Sequence, residues 1–225
     1  GSFAGCTALE TLTLPDSLTD IYGGGYGQNG AFANCTALRS VKFGSGLVTI
    51  GDGYGNSSTA NPDGFAYSGV FGNCSALEEV SFGQNLTTIG RHAFSECIAL
   101  KKLTIPDSVQ TIGLNAFYHN MLLSSVYFGK GLRNISDRAF YNCPELQTVE
   151  FEACDTPILY IGIDVFAYAV KLTTLKFSES LTTVNRGAFA GCTALETLTL
   201  PDSLTGIYGG GYGQNGAFAN CTALR

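Results

Sequence analysis

The chain has 225 residues, of which only 13% are charged, with 29 glycines, eight cysteines and a net charge of -6. The acidic balance argues against a nucleic-acid partner, because phosphate binding needs clustered Lys and Arg. No run approaches the ~20 consecutive apolar residues of a membrane-spanning helix, and abundant glycine with few charges suits tight turns between short strands.

The first 21 residues set the local logic. Phe3, Cys6 and Leu9 recur every three residues, which predicts a single helical or 3₁₀ turn burying one edge. Leu12 and Leu14 then alternate with Thr11 and Thr13, the period-two pattern of a short strand with one buried face. Pro15 and Asp16 end that strand, since Pro cannot donate to a ladder and Asp favours a turn. Leu18 and Ile21 re-enter the core on a second extended segment.

This frame returns with its first Phe at Phe3, Phe32, Phe71, Phe94, Phe117, Phe140, Phe166, Phe189 and Phe218, a basic period of 23 residues. A fixed period in the twenties with aligned apolar columns predicts a solenoid, in which coils too small to stand alone share one core. The whole chain, 1–225, therefore reads as a single repeat domain with nine repeat starts. Fourteen of the 15 phenylalanines fall in the Phe column or in a strand-end column, which makes them core; Phe65 alone lies outside.

Three kinds of insertion interrupt the period. Residues 22–29 (YGGGYGQN) and their copy at 208–215 add six residues, residues 51–68 add sixteen, and residues 154–157 sit in an insertion of three. The Tyr- and Gly-rich loops of coils one and two enter at one corner and are expected side by side. Residues 187–225 reproduce residues 1–39 except at Ser2/Ala188 and Asp20/Gly206. Residues 1–186 are thus one seven-coil unit and 187–225 the start of a second. Near-identity that extends through the loops points to recent duplication or a homogenised array. Residue 1 falls inside a repeat, so the chain reads as a mature fragment of a longer array, without a signal peptide.

Seven cysteines (Cys6, Cys35, Cys74, Cys97, Cys143, Cys192 and Cys221) share the column three residues after the Phe, where Asn120 and Ala169 stand in the other coils. Equivalent side chains of stacked coils point the same way, so a buried ladder of free thiols is expected instead of a disulfide framework. Cys154 lies off the frame.

L-x-x-L-x-L, present as Leu9, Leu12, Leu14 and as Leu195, Leu198, Leu200, resembles the leucine-rich-repeat core. The longer pattern A-F-x-x-C-x-x-L-x-x-[LV]-x-[LF]-P-x-S-L-T-x-I is similar to the BspA-type subfamily of surface proteins. That resemblance implies a leucine-rich-repeat solenoid, mostly β with short helical or 3₁₀ turns and a parallel sheet along one face. It also implies adhesion or recognition at a cell surface, without an active site. Pro15-Asp16-Ser17-Leu18 replaces the capping Asn of common leucine-rich repeats, so the Asn ladder of those proteins is not expected.

Chemical motifs are scarce. Gly25-x-Gly27-x-x-Gly30 matches a dinucleotide fingerprint only formally, lacking a following helix. His92 and His119 occupy different repeat positions without a recurring ligand partner, and Asp52, Asn56 and Asp63 fit no standard calcium loop. No nucleophile, base and orienting group can be assembled, so neither catalysis nor a cofactor or metal is expected. Asn56 is the best candidate for glycosylation among six N-x-[ST] sequons. Hot spots favour aromatic residues, and the exposed face of the main sheet offers only Tyr127. The expected binding corner is therefore Tyr22, Tyr26, Tyr54, Phe65, Tyr67, Tyr208 and Tyr212. The chain reads as an extracellular adhesion or recognition protein for a protein or glycan ligand. The alternative is a subunit of a fibre or surface layer built by end-to-end continuation of 186-residue units.

Overall fold

A computed structural model describes residues 2–25, 28–52, 69–153, 160–211 and 215–225. Each coil begins at its Phe with a turn arm, continues into a main strand and closes through a two-residue strand. The main strands are β1 (Thr11–Thr13), β3 (Ser40–Lys42), β5 (Glu79–Ser81), β7 (Lys102–Ile105), β9 (Ser125–Phe128), β11 (Thr148–Phe151) and β13 (Thr174–Lys176). The short strands are β2 (Asp20–Ile21), β4 (Thr49–Ile50), β6 (Thr88–Ile89), β8 (Thr111–Ile112), β10 (Asn134–Ile135), β12 (Tyr160–Ile161), β14 (Thr183–Val184) and β15 (Gly206–Ile207). Both sets pair in parallel and in repeat register, for example Val149 with Leu175 and Ile50 with Ile89. The leucine-rich-repeat solenoid anticipated above is therefore present.

The Phe column is a continuous stack. Successive rings from Phe3 to Phe218 lie 5.0–5.3 Å apart and within 15° of parallel. The strand-end phenylalanines meet this stack edge-on, as Phe128 meets Phe140 at 5.6 Å and Phe177 meets Phe189 at 5.7 Å. Leu, Ile and Val of the strand columns fill the remaining core.

The turn arm departs from the expected helical or 3₁₀ conformation. It is a chain of separate three-residue closures, in which the Cys6 N–H donates to the Phe3 carbonyl and the Leu9 N–H to the Cys6 carbonyl. The cause lies at the second residue after each Phe. That residue has positive φ in all nine coils: Gly5, Asn34, Asn73, Glu96, His119, Asn142, Tyr168, Gly191 and Asn220. A left-handed residue cannot propagate a right-handed helix, but it aims alternate N–H groups at the next coil. The Phe94 and Glu96 N–H groups donate to the Ala116 and Tyr118 carbonyls at 2.7 and 2.9 Å. Phe166 and Tyr168 repeat the pattern onto Ala188 and Ala190 at 2.7 and 2.8 Å. The same pair of bonds spans every junction, making a third ladder beside the two sets of strands.

The thiol column has a hydrogen-bonding role beyond packing. Each buried thiol donates to the Phe carbonyl of the preceding coil, as Cys74 Sγ does to Phe32 at 3.3 Å and Cys97 Sγ to Phe71 at 3.2 Å. Cys35, Cys74, Cys97, Cys143 and Cys192 are buried free thiols, while Cys6 is exposed and Cys221 half-buried. Burial pushes Cys97 up and Cys143 to about 12, so these thiols stay protonated donors. Cys154 lies outside the described residues.

The main strands do not form one sheet. They divide into a three-stranded panel, β1-β3-β5, and a four-stranded panel, β7-β9-β11-β13, whereas the short strands run unbroken through all eight. Thr197 to Thr199, at the main-strand position of coil eight, form no strand. Both interruptions fall where the incoming coil carries Pro directly after its strand-end residue, at Pro106 and at Pro201. At that position the Gly129 N–H donates to the Ile105 carbonyl at 2.9 Å, and the Glu152 N–H to that of Phe128 at 2.9 Å. Pro has no N–H to give, so that bond is missing at both breaks; Gly44 and Gly83 also leave it unmade while β1, β3 and β5 pair.

Two predictions follow from these columns. Asn120 keeps the thiol's donor role, with Nδ2 3.1 Å from the Phe94 carbonyl, but its fully buried Oδ1 has no hydrogen-bond partner. An unsatisfied buried acceptor costs about 1–3 kcal/mol, so Asn120→Cys, which restores the residue this column holds in seven coils, should raise stability by about 1 kcal/mol and lift the melting temperature; a lower melting temperature would show that the orphaned oxygen is not the dominant cost. A crystal structure of Pro106→Gly should show β5 paired with β7 in a single seven-stranded sheet. A sheet still divided at that junction would show that Pro106 is not the cause.

Candidate functional site: a groove at the panel boundary

A concavity lies on the main-strand side, where the first panel ends and the second begins. It has a volume of about 680 Å³ and runs from coil three to coil seven. Glu79, Ser81, Phe82 and Gln84 form one wall, with Thr104, Pro106 and Asp107 beside them across the break in the sheet. Tyr127 stands in the middle, 42% exposed, and Glu150, Glu152 and Lys176 complete the far end.

Each of these side chains is placed by the strand period. Thr104, Tyr127, Glu150 and Lys176 sit at matching outward positions, since Thr104 pairs with Tyr127 and Glu150 with both Tyr127 and Lys176 in register. Val126, Val149 and Ile105 between them point into the core and are buried. Of the carboxylates, Asp107 is engaged by the Lys130 N–H at 3.2 Å and by Lys130 Nζ at 3.5 Å. The groove thus offers an exposed tyrosine beside Phe82, hydroxyls and charges of both signs, an arrangement suited to holding an extended ligand by contact.

The expected Tyr corner is only partly described. Tyr22 is 75% exposed and Tyr208 56% exposed, so both are available to solvent. They follow β2 and β15, which lie at opposite ends of the eight-stranded sheet, so the two are not brought into one site. Tyr22 flanks a cavity of about 390 Å³ with Phe3, Leu14, Leu18 and Phe32 at the first coil. Tyr26, Tyr54, Phe65, Tyr67 and Tyr212 lie outside the described residues, as does the candidate glycosylation site Asn56.

Other sequence motifs find structural explanations. Asn34, Asn73 and Asn220, which head sequons, occupy left-handed turn positions with φ of 57–61°, and Asn73 Nδ2 donates to Asn34 Oδ1 at 2.9 Å. His92 and His119 are likewise at positive φ, two residues before and two after a Phe. His119 Nδ1 lies 3.0 Å from Glu96, whereas His92 is buried and its pKa is lowered to about 4 by desolvation. The groove has no residue-type signal of its own: Pro15, Pro106 and Pro201 share a column otherwise held by Gly, Ser or Glu, and of these Pro106 lines it.

Known structures repeat this architecture. A leucine-rich repeat protein from Bacteroides ovatus is 26% identical with a TM-score of 0.66, the match covering 100% of this chain and 56% of that one. The T. pallidum leucine rich repeat protein is 21% identical, TM-score 0.60, over 87% of this chain and 80% of its own. One from Eubacterium ventriosum is 21% identical, TM-score 0.61, over 95% and 59%. This chain therefore spans little more than half the length of the Bacteroides ovatus protein. No curated protein sequence is significantly similar to it. Residues 1–59, 67–167 and 159–225 match the BspA type leucine rich repeat region in six copies, and the chain belongs to that family.

Proposed function

We propose that this chain is a non-catalytic recognition module of a surface-exposed bacterial-type repeat array, and that it holds a protein or glycan ligand along the panel-boundary groove. The observation that carries this reading is the groove itself, a 680 Å³ concavity with Tyr127 at its centre. An outward Tyr on a rigid sheet is a low-entropy contact residue of the kind that dominates binding. The carboxylates and Lys176 around it supply orientation. Family membership and the absence of any helix long and apolar enough to cross a membrane among the described residues are compatible with display outside a cell.

A second reading, a structural array, rests on the duplication. Coil eight docks on coil seven through the common bonds, with the Phe166 N–H on the Ala188 carbonyl at 2.7 Å and β14 paired with β15. Coil one carries nearly the same sequence as coil eight, so it would fit a coil-seven surface of another unit in the same way.

Binding to glycan and peptide arrays tests the first reading. The wild-type chain should bind a defined ligand class, Tyr127→Ala should weaken it at least about tenfold, and Tyr22→Ala should not. Loss on Tyr22→Ala with Tyr127→Ala unaffected would move the site to the insertion corner. Binding to no arrayed ligand, together with end-to-end filaments in negative stain, would favour the structural array.

A further inference from the structure

The carboxylates of the panel-boundary groove lack the counter-charges that others on the same coils possess. Glu78 is held by Lys101 at 2.6 Å, Glu145 by Lys171 at 2.8 Å and Asp164 by Arg138 at 3.6 Å. In the groove Asp107 is engaged likewise, by Lys130 at 3.5 Å. Glu79, Glu150 and Glu152 also line it, and none of the three belongs to an ion pair among the described residues. Glu79 and Glu152 are exposed and Glu150 is half-buried. Lys176 is the cation among the lining residues and stands at the far end. Lys102, one coil on from Glu79 in the same outward column, lies across the break and does not line the groove.

The break also leaves a backbone donor open. The Leu14 and Phe43 N–H groups donate to the Lys42 and Ser81 carbonyls of the next coil, each at 2.9 Å. Phe82 holds the same position at the end of β5, but β5 does not pair with β7, and the Phe82 N–H makes no such bond. Phe82 lines the groove as well, so a carbonyl of a bound chain can meet this donor.

Resting on the reading of this groove as the binding surface, we propose that its occupant is an extended peptide segment with two basic side chains about four residues apart. Glu79 belongs to coil three and Glu150 to coil six, three coil steps of ~4.8 Å apart, or about 14 Å along the solenoid axis. An extended chain covers that span in about four residues, and residues four apart project to one side. One basic group meets Glu79 and the other meets Glu150 and Glu152. The second passes over the ring of Tyr127, which pairs in register with Glu150, so attraction to the aromatic face adds to the charge contact. Arginine suits both positions better than lysine, because its planar fork matches a carboxylate and stacks on a ring. The backbone of the segment supplies the acceptor for the Phe82 N–H. An acidic segment would face three like charges, and a neutral glycan would desolvate the carboxylates without a counter-charge.

Fluorescence anisotropy with the full chain and a short blocked Gly/Ser peptide carrying two arginines four residues apart tests this. The peptide should bind with a Kd below about 1 mM at low salt and more weakly as salt rises. Replacing both arginines by citrulline, which keeps the shape and removes the charge, should weaken binding at least about tenfold. Glu79→Gln and Glu150→Gln should each weaken it about three- to fivefold with unchanged melting temperatures. Glu145→Gln, whose carboxylate is already held by Lys171, should leave it unchanged. Equal binding of the citrulline peptide overturns the proposal, as does no binding of the arginine peptide at about 1 mM. Binding lost in Tyr127→Ala but unmoved by Glu79→Gln and Glu150→Gln overturns it too, while keeping the groove as the site. Binding unmoved by all three variants overturns this proposal and the groove reading together.

Discussion

The structure depends on what happens between one Phe and the next. Nine rings stack in register at about 5 Å, and the backbone beside them donates two hydrogen bonds per junction, from the Phe N–H and from the N–H two residues on. The second of those bonds exists only because the donor residue is left-handed. Gly and Asn take that conformation readily, and they fill six of the nine positions. Glu96, His119 and Tyr168 occupy the others, each at a cost of roughly 1–2 kcal/mol. Each regains about 1 kcal/mol per hydrogen bond together with the burial of the adjacent ring. The turn-arm ladder is therefore tolerant of side chain but strict about backbone, which leaves its outer surface free to vary.

That ladder and the short-strand sheet run uninterrupted, and the main sheet does not. Its two divisions fall at the coils that carry Pro after the strand end, at Pro106 and Pro201, leaving panels of three coils and then four. A break in one ladder out of three leaves the solenoid continuous while opening its surface. The groove lies at that opening, with Pro106 and Phe82 on its two sides. Division of labour follows within each coil: one arm maintains stacking, one closes the core and one is segmented.

The columns of Phe, Leu and strand apolar residues were legible because burial at fixed spacing is written directly in residue type. The free thiols followed from the same frame. The conformation of the arm was not, because Phe3-x-x-Cys6-x-x-Leu9 has the spacing of a helical turn, and only the Gly or Asn at the second position signals the left-handed residue that breaks it. His92 and His119 have no recurring ligand partner in the sequence; both stand at positive φ, and His92 is buried. The weighting of the insertion corner over the sheet face came from counting exposed aromatics. That count cannot register a concavity at the break between the panels, nor the exposure of Met121 and Leu122, which look like core residues in the sequence. Tyr22 and Tyr208 belong to copies of one loop seven coils apart, so likeness in sequence there did not mean proximity.

The turn-arm ladder, more than the main sheet, holds successive coils together. Native-state hydrogen exchange resolved to single amides measures it most directly. The amides of Phe94, Glu96, Phe117 and His119 should be among the slowest to exchange, as slow as those of β6 and β8. The strand-end amide of Phe82, at the break between the panels, should exchange much faster. Rapid exchange in the turn arm, with the break at Phe82 well protected, would contradict the account.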